Sequence, residues 1–207
     1  MSRFEISADI GVRQPAQARS RERVERILLA TESLIEQTPL DDNSVAMISD
    51  RSGVKRATIY QFFPSVQAIF KVLGQRFLDE IYNDFTRIKT PGTQDAWRRT
   101  TDALIDAMVD FYSHHPAACS LFLGDGSLHG LRLIDHDFDQ RYVELLRTQL
   151  GGGPAIQPTK QGDPMQVAVM IGISTISLSV HRFGRITDYY RTQARRAVQA
   201  YLGTLLD

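Results

Sequence analysis

The chain has 207 residues, 43% of them hydrophobic, with 24 Lys plus Arg against 24 Asp plus Glu and a formal net charge of zero. That length buries a real core in one or two domains, and the neutral balance excludes any argument for a polyanionic partner from overall charge. The single cysteine, Cys119, excludes an intrachain disulfide and fits a reducing compartment.

Positive charge is nevertheless concentrated. Residues 11–30 hold Arg13, Arg19, Arg21, Arg23 and Arg26 against Glu22 and Glu25, and residues 51–63 hold Arg51, Lys55 and Arg56 with no acid. The segment between them carries only acids. Two basic windows of this kind can face one partner. The first ten residues lack a basic stretch followed by an apolar core, so no secretion signal is expected. No apolar run approaches the roughly 18 residues of a membrane span. The most apolar stretch, Val167 to Ile173, is short and contains Gly172. The expectation is a soluble, cytoplasmic protein with no membrane partner.

Residues 1–14 show no period and read as a loose arm, and Pro15 suits a first helical position. Val24, Ile27, Leu28, Thr31, Leu34 and Ile35 then fall on one face of a first helix, which Pro39 and Asp41-Asp42-Asn43 close. Ser44 suits the N-cap of a second helix, and Gly53 suits a left-handed C-terminal cap. A third helix runs from about Lys55 to Phe62. Val45, Ile48, Val54 and Ile59 are spaced to pack these two helices together across the tight turn Ser52-Gly53-Val54. Left outward on the third are Lys55, Arg56, Thr58, Tyr60 and Gln61, a set of donors and cations with no acid. A short helix presenting that set suits a DNA major groove.

Pro64-Ser65 opens a long fourth helix with an apolar stripe from Val66 to Ile88. Thr90-Pro91-Gly92 breaks it. Trp97, Leu104, Ile105, Met108 and Phe111 mark a fifth helix closed by Pro116, and residues 117–123 form a short sixth. Leu131 to Leu146 gives a seventh, stopped by Gly151-Gly152-Gly153-Pro154. Asp163-Pro164 starts an eighth, about 164–182, apolar on almost every face and so expected to be surrounded by other helices. Thr187-Asp188 opens the ninth. Nothing alternates like a strand, and no repeat is evident. The fold class is all-α with about nine helices.

Enzyme and metal readings find little support. His114-His115 and Asp135-His136-Asp137 are the nearest approach to a metal cluster, but adjacent helical residues point apart. There is no paired Glu-x-x-His, GxGxxG, GxxxxGK[ST] or GxSxG. No catalytic activity, metal or cofactor is expected, and Cys119 reads as a structural thiol. Asp102, Asp106 and Asp110 share one helical stripe, either a solvated face or an attraction for a cationic ligand.

From Gly53 to Phe63 the sequence resembles the TetR family of bacterial transcriptional regulators. The family pattern is Gly-Val, two polar residues, a small residue, Thr, an aliphatic residue, Tyr, two variable residues and Phe, and it is met at Gly53, Val54, Ala57, Thr58, Ile59, Tyr60 and Phe63. The motif resemblance covers about residues 20–75; beyond that it is one of helix lengths and order. It implies an N-terminal arm and helix-turn-helix DNA-binding domain over 1–64 and a ligand-binding and dimerisation domain over 65–207. It further implies a repressor that binds a double-stranded palindromic operator as a homodimer through helices 8 and 9, and that a small-molecule effector releases.

Thr58 and Tyr60 resemble the family's phosphate-contacting pair, which fixes register. Lys55, Arg56 and Gln61 are the candidates for base edges, with solvent or phosphate as the alternative for each. Ser44 offers a backbone N–H to a phosphate, and Arg19, Arg21 and Arg23 offer either minor-groove contacts or a solvated face. Trp97, Met108, Phe111, Phe122, Phe138, Tyr142 and Met170 are candidate pocket residues, each with ordinary core as its alternative. The chain departs from the family at Val66, where a phosphate-binding lysine is common, at Gln67 and at Met47. Val66 also opens a second reading, a helical small-molecule sensor or interaction protein with weakened or lost DNA binding.

Overall fold

The computed structural model describes residues 18–89, 96–124 and 136–206, with the side chains of 136–139 excepted. The arm and the expected helix start at Pro15 lie outside these residues. Among the described residues the fold is all-α: nine α-helices, two short 3-10 turns and one isolated bridge between Thr159 and Gly162. Two compact units divide them, one within 18–77 and 116–124, the other within 78–115 and 136–206. The division falls inside the fourth helix, and the first unit takes in a later helix. The sequence-based domains, 1–64 and 65–207, divide instead at the start of that fourth helix.

In the first unit α1 (Ala18–Ile35) is followed by a 3-10 turn (Leu40–Asp42), α2 (Val45–Ser52), α3 (Arg56–Phe62) and the start of α4 (Val66–Thr86). Its later helix, α6 (Pro116–Leu123), packs on α1. Apolar residues three and four apart on α1 bury one face, with Ile27 and Leu28 fully enclosed. Ile48, Ile59, Phe63, Ile69 and Leu73 complete that core. Thr31 is buried too, and its hydroxyl donates to the Ile27 carbonyl at 2.8 Å, so no polar group is left bare. Between α1 and α2, the Asn43 side-chain amide donates to the Pro39 carbonyl at 2.7 Å, which fixes the chain reversal. Two polar ties bind the helices from outside. Arg51 donates to the Ser33 hydroxyl at 2.7 Å and to Gln37 Oε1 at 2.9 Å, and Arg76 pairs with Glu25 at 2.7 Å.

The second unit holds the end of α4, α5 (Ala96–His114), α7 (His136–Gln149), a 3-10 turn (Pro154–Ile156), α8 (Pro164–Phe183) and α9 (Asp188–Leu206). α9 packs on both α8 and α5. Asp163 caps α8, its carboxylate accepting from the Met165 N–H at 2.9 Å. Gly184 ends α8 at φ 65°. The buried Ser179 hydroxyl donates to the Arg185 carbonyl at 2.9 Å and accepts from the Thr187 N–H at 3.0 Å, closing the turn into α9. Arg147 is 4% exposed and ties three segments together: it donates to the Ile156 carbonyl at 2.9 Å, to Asp163 at 2.6 Å and to Glu144.

Two expectations are corrected. α8 is not surrounded by helices within the chain. Met165, Ala168, Gly172, Ile176 and Ser179 take its inner side, while Val167, Met170 and Leu178 face out at 46%, 58% and 57% exposure. The inner side thus mixes the small Ala168, Gly172 and Ser179 with the fully buried Met165 and Ile176, while large apolar side chains remain on the other. α8 is also long and apolar enough to cross a membrane by length and composition, where the sequence reading saw no such run. A core helix of a soluble protein meets the same measure.

Candidate nucleic-acid interface and ligand cavity

The geometry of α3 is set by the turn before it. Ser44 holds an extended conformation, and its hydroxyl accepts from the Met47 N–H at 3.3 Å, which starts α2. Gly53 ends α2 at φ 65°, a left-handed conformation that glycine adopts without steric cost. The Ser52 hydroxyl accepts from the Val54 N–H at 3.2 Å, and the Arg26 guanidinium donates to the Ser52 carbonyl, so α1 buttresses the turn.

With the turn fixed, α3 buries Ile59 completely and Phe62 almost so, with Phe63 sealing its end. The opposite side presents Lys55, Arg56, Tyr60 and Gln61 to solvent, with Thr58 half-buried beside them. Tyr60 is 55% exposed, so it does not pack between helices. Arg19, Arg21 and Arg23 are exposed on the first turns of α1. Ser44 is half-buried with its hydroxyl spent on the cap. Arg26 and Arg51, which contribute to the two basic windows, are used in holding helices together. Val66 is half-buried at the first position of α4, which Ser65 caps by accepting from the Ala68 N–H at 3.2 Å.

In the second unit a cavity of about 50 Å³ lies among α4, α5, α7, α8 and α9. Of the nominated pocket residues, Met108 and Tyr142 line it. Phe85 meets Tyr142 ring to ring at 5.3 Å, and the Tyr142 phenol is held well above its ordinary pKa by burial, with Tyr112 adding to it. Thr101 also lines the cavity, with its hydroxyl donated to the Trp97 carbonyl at 2.8 Å.

The other nominated residues lie elsewhere. Trp97 is buried under the Arg98 guanidinium, 4.2 Å from the ring centre. Phe111 is buried and stacks on His115 at 4.4 Å. Phe122 belongs to the first unit, Met170 faces outward, and the Phe138 side chain lies outside the described residues. The choice of bulky residues, aromatic or methionine, missed Ile105, Leu146, Gly172 and Val198, which do line the cavity. For Gly172 the run of small residues on α8 was the available signal, and for Ile105, Leu146 and Val198 it was the apolar face of each helix.

The stripe Asp102, Asp106 and Asp110 is an internal ladder rather than a solvated face or a cation site. Arg191 meets Asp110 at 2.8 Å, Arg195 meets Asp106, and Gln199 donates to Asp102 at 2.8 Å, joining α9 to α5. Asp102 has a raised pKa because burial outweighs the attraction of Arg195. Among the described residues no three His, Cys, Asp or Glu side chains converge as a metal site, and Asp135-His136-Asp137 lies outside the described side chains.

Residues 27–73 match the family described as bacterial regulatory proteins, tetR family. No curated protein matches the sequence. Among solved structures, the chain is similar to a TetR-family transcriptional regulator from Streptomyces coelicolor, at 24% identity and a TM-score of 0.64, over 88% of this chain and 99% of that one. A TetR transcriptional regulator from Rhodococcus sp. RHA1 is similar at 17% identity and a TM-score of 0.59, over 91% of this chain and 99% of that one. The fatty acid degradation regulator FadR from Bacillus halodurans is similar at 15% identity and a TM-score of 0.59, over 93% and 98%. Residues 27–73, which hold α2 and α3, thus match the TetR family's model, and the chain carries the all-α fold of the solved TetR-family transcriptional regulators.

Proposed function

We propose that this protein is a ligand-responsive transcriptional repressor of the cytoplasm, binding a palindromic operator as a homodimer and leaving it when a small molecule binds the second unit. The observation that carries the reading is the outward side of α3. A seven-residue helix with a buried aliphatic and aromatic side exposes Arg56, Tyr60 and Gln61 beside Lys55, with no acid in the helix. Thr58 and Tyr60 then hold phosphates, while Lys55, Arg56 and Gln61 face base edges. Arg19 and Arg21 add contacts from α1, and the Ser44 backbone N–H meets a phosphate at the start of α2.

Homodimerisation through α8 and α9 is supported by the apolar residues they leave in solvent, among them Met170, Leu178, Phe183 and Tyr189. Pairing of two copies sets the two α3 helices about 34–36 Å apart, one turn of DNA. Coupling is supported by α4, a continuous helix that starts just after α3 and carries Phe85 of the cavity wall near its end. An effector must favour one of two conformations to act, since equal affinity shifts nothing.

The test is operator retention with DNA from upstream of the protein's own gene. Wild-type protein binds with steep salt dependence, and the Arg56→Ala/Tyr60→Ala double variant loses binding while sedimentation still shows a dimer. Retained, salt-insensitive binding by the double variant sinks the assignment of α3. The second reading, a sensor that no longer reads DNA, draws on Val66, whose position offers no cation to a phosphate. It gains the field if wild-type protein retains no upstream DNA even at low salt.

A further inference from the structure

We infer that the cavity of the second unit that lies among α4, α5, α7, α8 and α9 takes an uncharged, slender, aliphatic molecule and refuses an ionised one. The inference rests on the ligand-responsive reading above and names the chemistry of its site.

The walls are aliphatic side chains, Met108, Met165 and two aromatic rings, with no Lys, Arg, His, Asp or Glu among the lining residues. Only two hydroxyls reach it. That of Thr101 donates to the Trp97 carbonyl, and the Tyr142 phenol is kept protonated by its burial, so neither brings a charge to the wall. Several charges on the same helices are paired with other groups. On α7, Arg147 is held by the Ile156 carbonyl, Asp163 and Glu144. On α5, Asp106 and Asp110 are paired with Arg195 and Arg191 of α9, and Asp102 accepts from Gln199. A carboxylate or ammonium carried inside would shed its water and meet no counter-charge.

Shape narrows the class further. The cavity of about 50 Å³ is far below the roughly 300–1,000 Å³ of a preformed drug-sized site. It must therefore open around its occupant, and a thin chain asks least of it. Two methionines supply the give, because their unbranched side chains change shape at low cost. Gly172 thins the α8 wall: a Cβ there would lie 3.4 Å from Ile105 Cδ1 and 3.5 Å from Val198 Cγ2, so a larger side chain would occupy the space itself.

The experiment titrates the whole 207-residue chain with three probes that carry an unbranched ten-carbon chain: 1-decanol, decanoate and decyltrimethylammonium. Calorimetry gives the affinity, and the fluorescence of Trp97, the only tryptophan, gives a local signal one turn from Thr101. Decanol binds saturably, and the two ionised probes bind at least tenfold more weakly at neutral pH. Gly172→Leu, checked for native helicity, weakens decanol at least tenfold. Met108→Ala, which enlarges the cavity, gains affinity for the thicker 4-cyclohexylbutanol and decides the matter if the first variant does not fold. Decanoate binding as tight as decanol, or decanol binding indifferent to a folded Gly172→Leu, or no gain for 4-cyclohexylbutanol in Met108→Ala, overturns the inference. Selective decanol binding that leaves operator affinity unchanged refutes ligand responsiveness but upholds the cavity's chemistry. Operator release by a charged compound, with decanol inert, overturns the inference and leaves responsiveness standing.

Discussion

Replacing Gly53 with alanine tests how α3 is held. The residue sits at φ 65°, and an added Cβ would lie 2.8 Å from Arg26 Nη2. Two costs follow. Alanine in a left-handed conformation costs about 1–2 kcal/mol. Arg26 must also swing away and give up its bond to the Ser52 carbonyl, worth about 1 kcal/mol for an exposed guanidinium. Gly53→Ala should therefore destabilise by about 2–3 kcal/mol. Gly184 is the internal comparison: it has the same φ of 65° at the end of a helix, with nothing within 4 Å of an added Cβ. Gly184→Ala should show the strain alone. The assay is urea unfolding followed by helical circular dichroism, on wild type, Gly53→Ala, Arg26→Ala and the double variant. The cycle should show a coupling of about 1 kcal/mol, since without Arg26 the alanine meets nothing. Strict additivity would refute the claim that Arg26 buttresses the turn.

Three further outcomes follow from the same structure. Val66→Lys should raise operator affinity roughly tenfold at low salt and steepen the dependence of log K on log salt by about two for a dimer, as read by anisotropy titration, since each neutralised phosphate contributes about 0.9; an unchanged slope would show that the first residue of α4 does not face DNA. Arg147→Met keeps the bulk but leaves the Asp163 carboxylate and the Ile156 carbonyl without their cation, and should cost about 3 kcal/mol in denaturant unfolding, as when a buried pair is broken from one side. Burial pushes the Cys119 thiol up from 9.0 to about 11, so at pH 8 it should carry about a hundredfold less thiolate than an unperturbed thiol. Its reaction with iodoacetamide should stay slow at pH 8, quicken as pH rises and become fast on unfolding.

The sequence by itself determined the local features. Apolar spacing, the Ser44 and Asp163 caps and the stops at Gly53 and Gly184 set the helices, because these depend on residues within a turn or two of one another. The same locality made the α3 surface legible: once Ile59 and Phe62 turn inward, Arg56, Tyr60 and Gln61 have nowhere to go but out. Tertiary structure alone decided which chemically similar residues share a neighbourhood. Met108 and Met165 reached the cavity while Met170 faced solvent, because the side of α8 that carries Met165, Gly172 and Ile176 is the one that its neighbours cover. The stripe of Asp102, Asp106 and Asp110 looked like a solvated face until Arg191, Arg195 and Gln199 arrived from more than eighty positions along the chain. Arg26 and Arg51 read as part of a basic surface and proved to be struts. A helical period tells which side of a helix is apolar. What lies against that side depends on contacts between distant segments, and those are set only when the whole core packs.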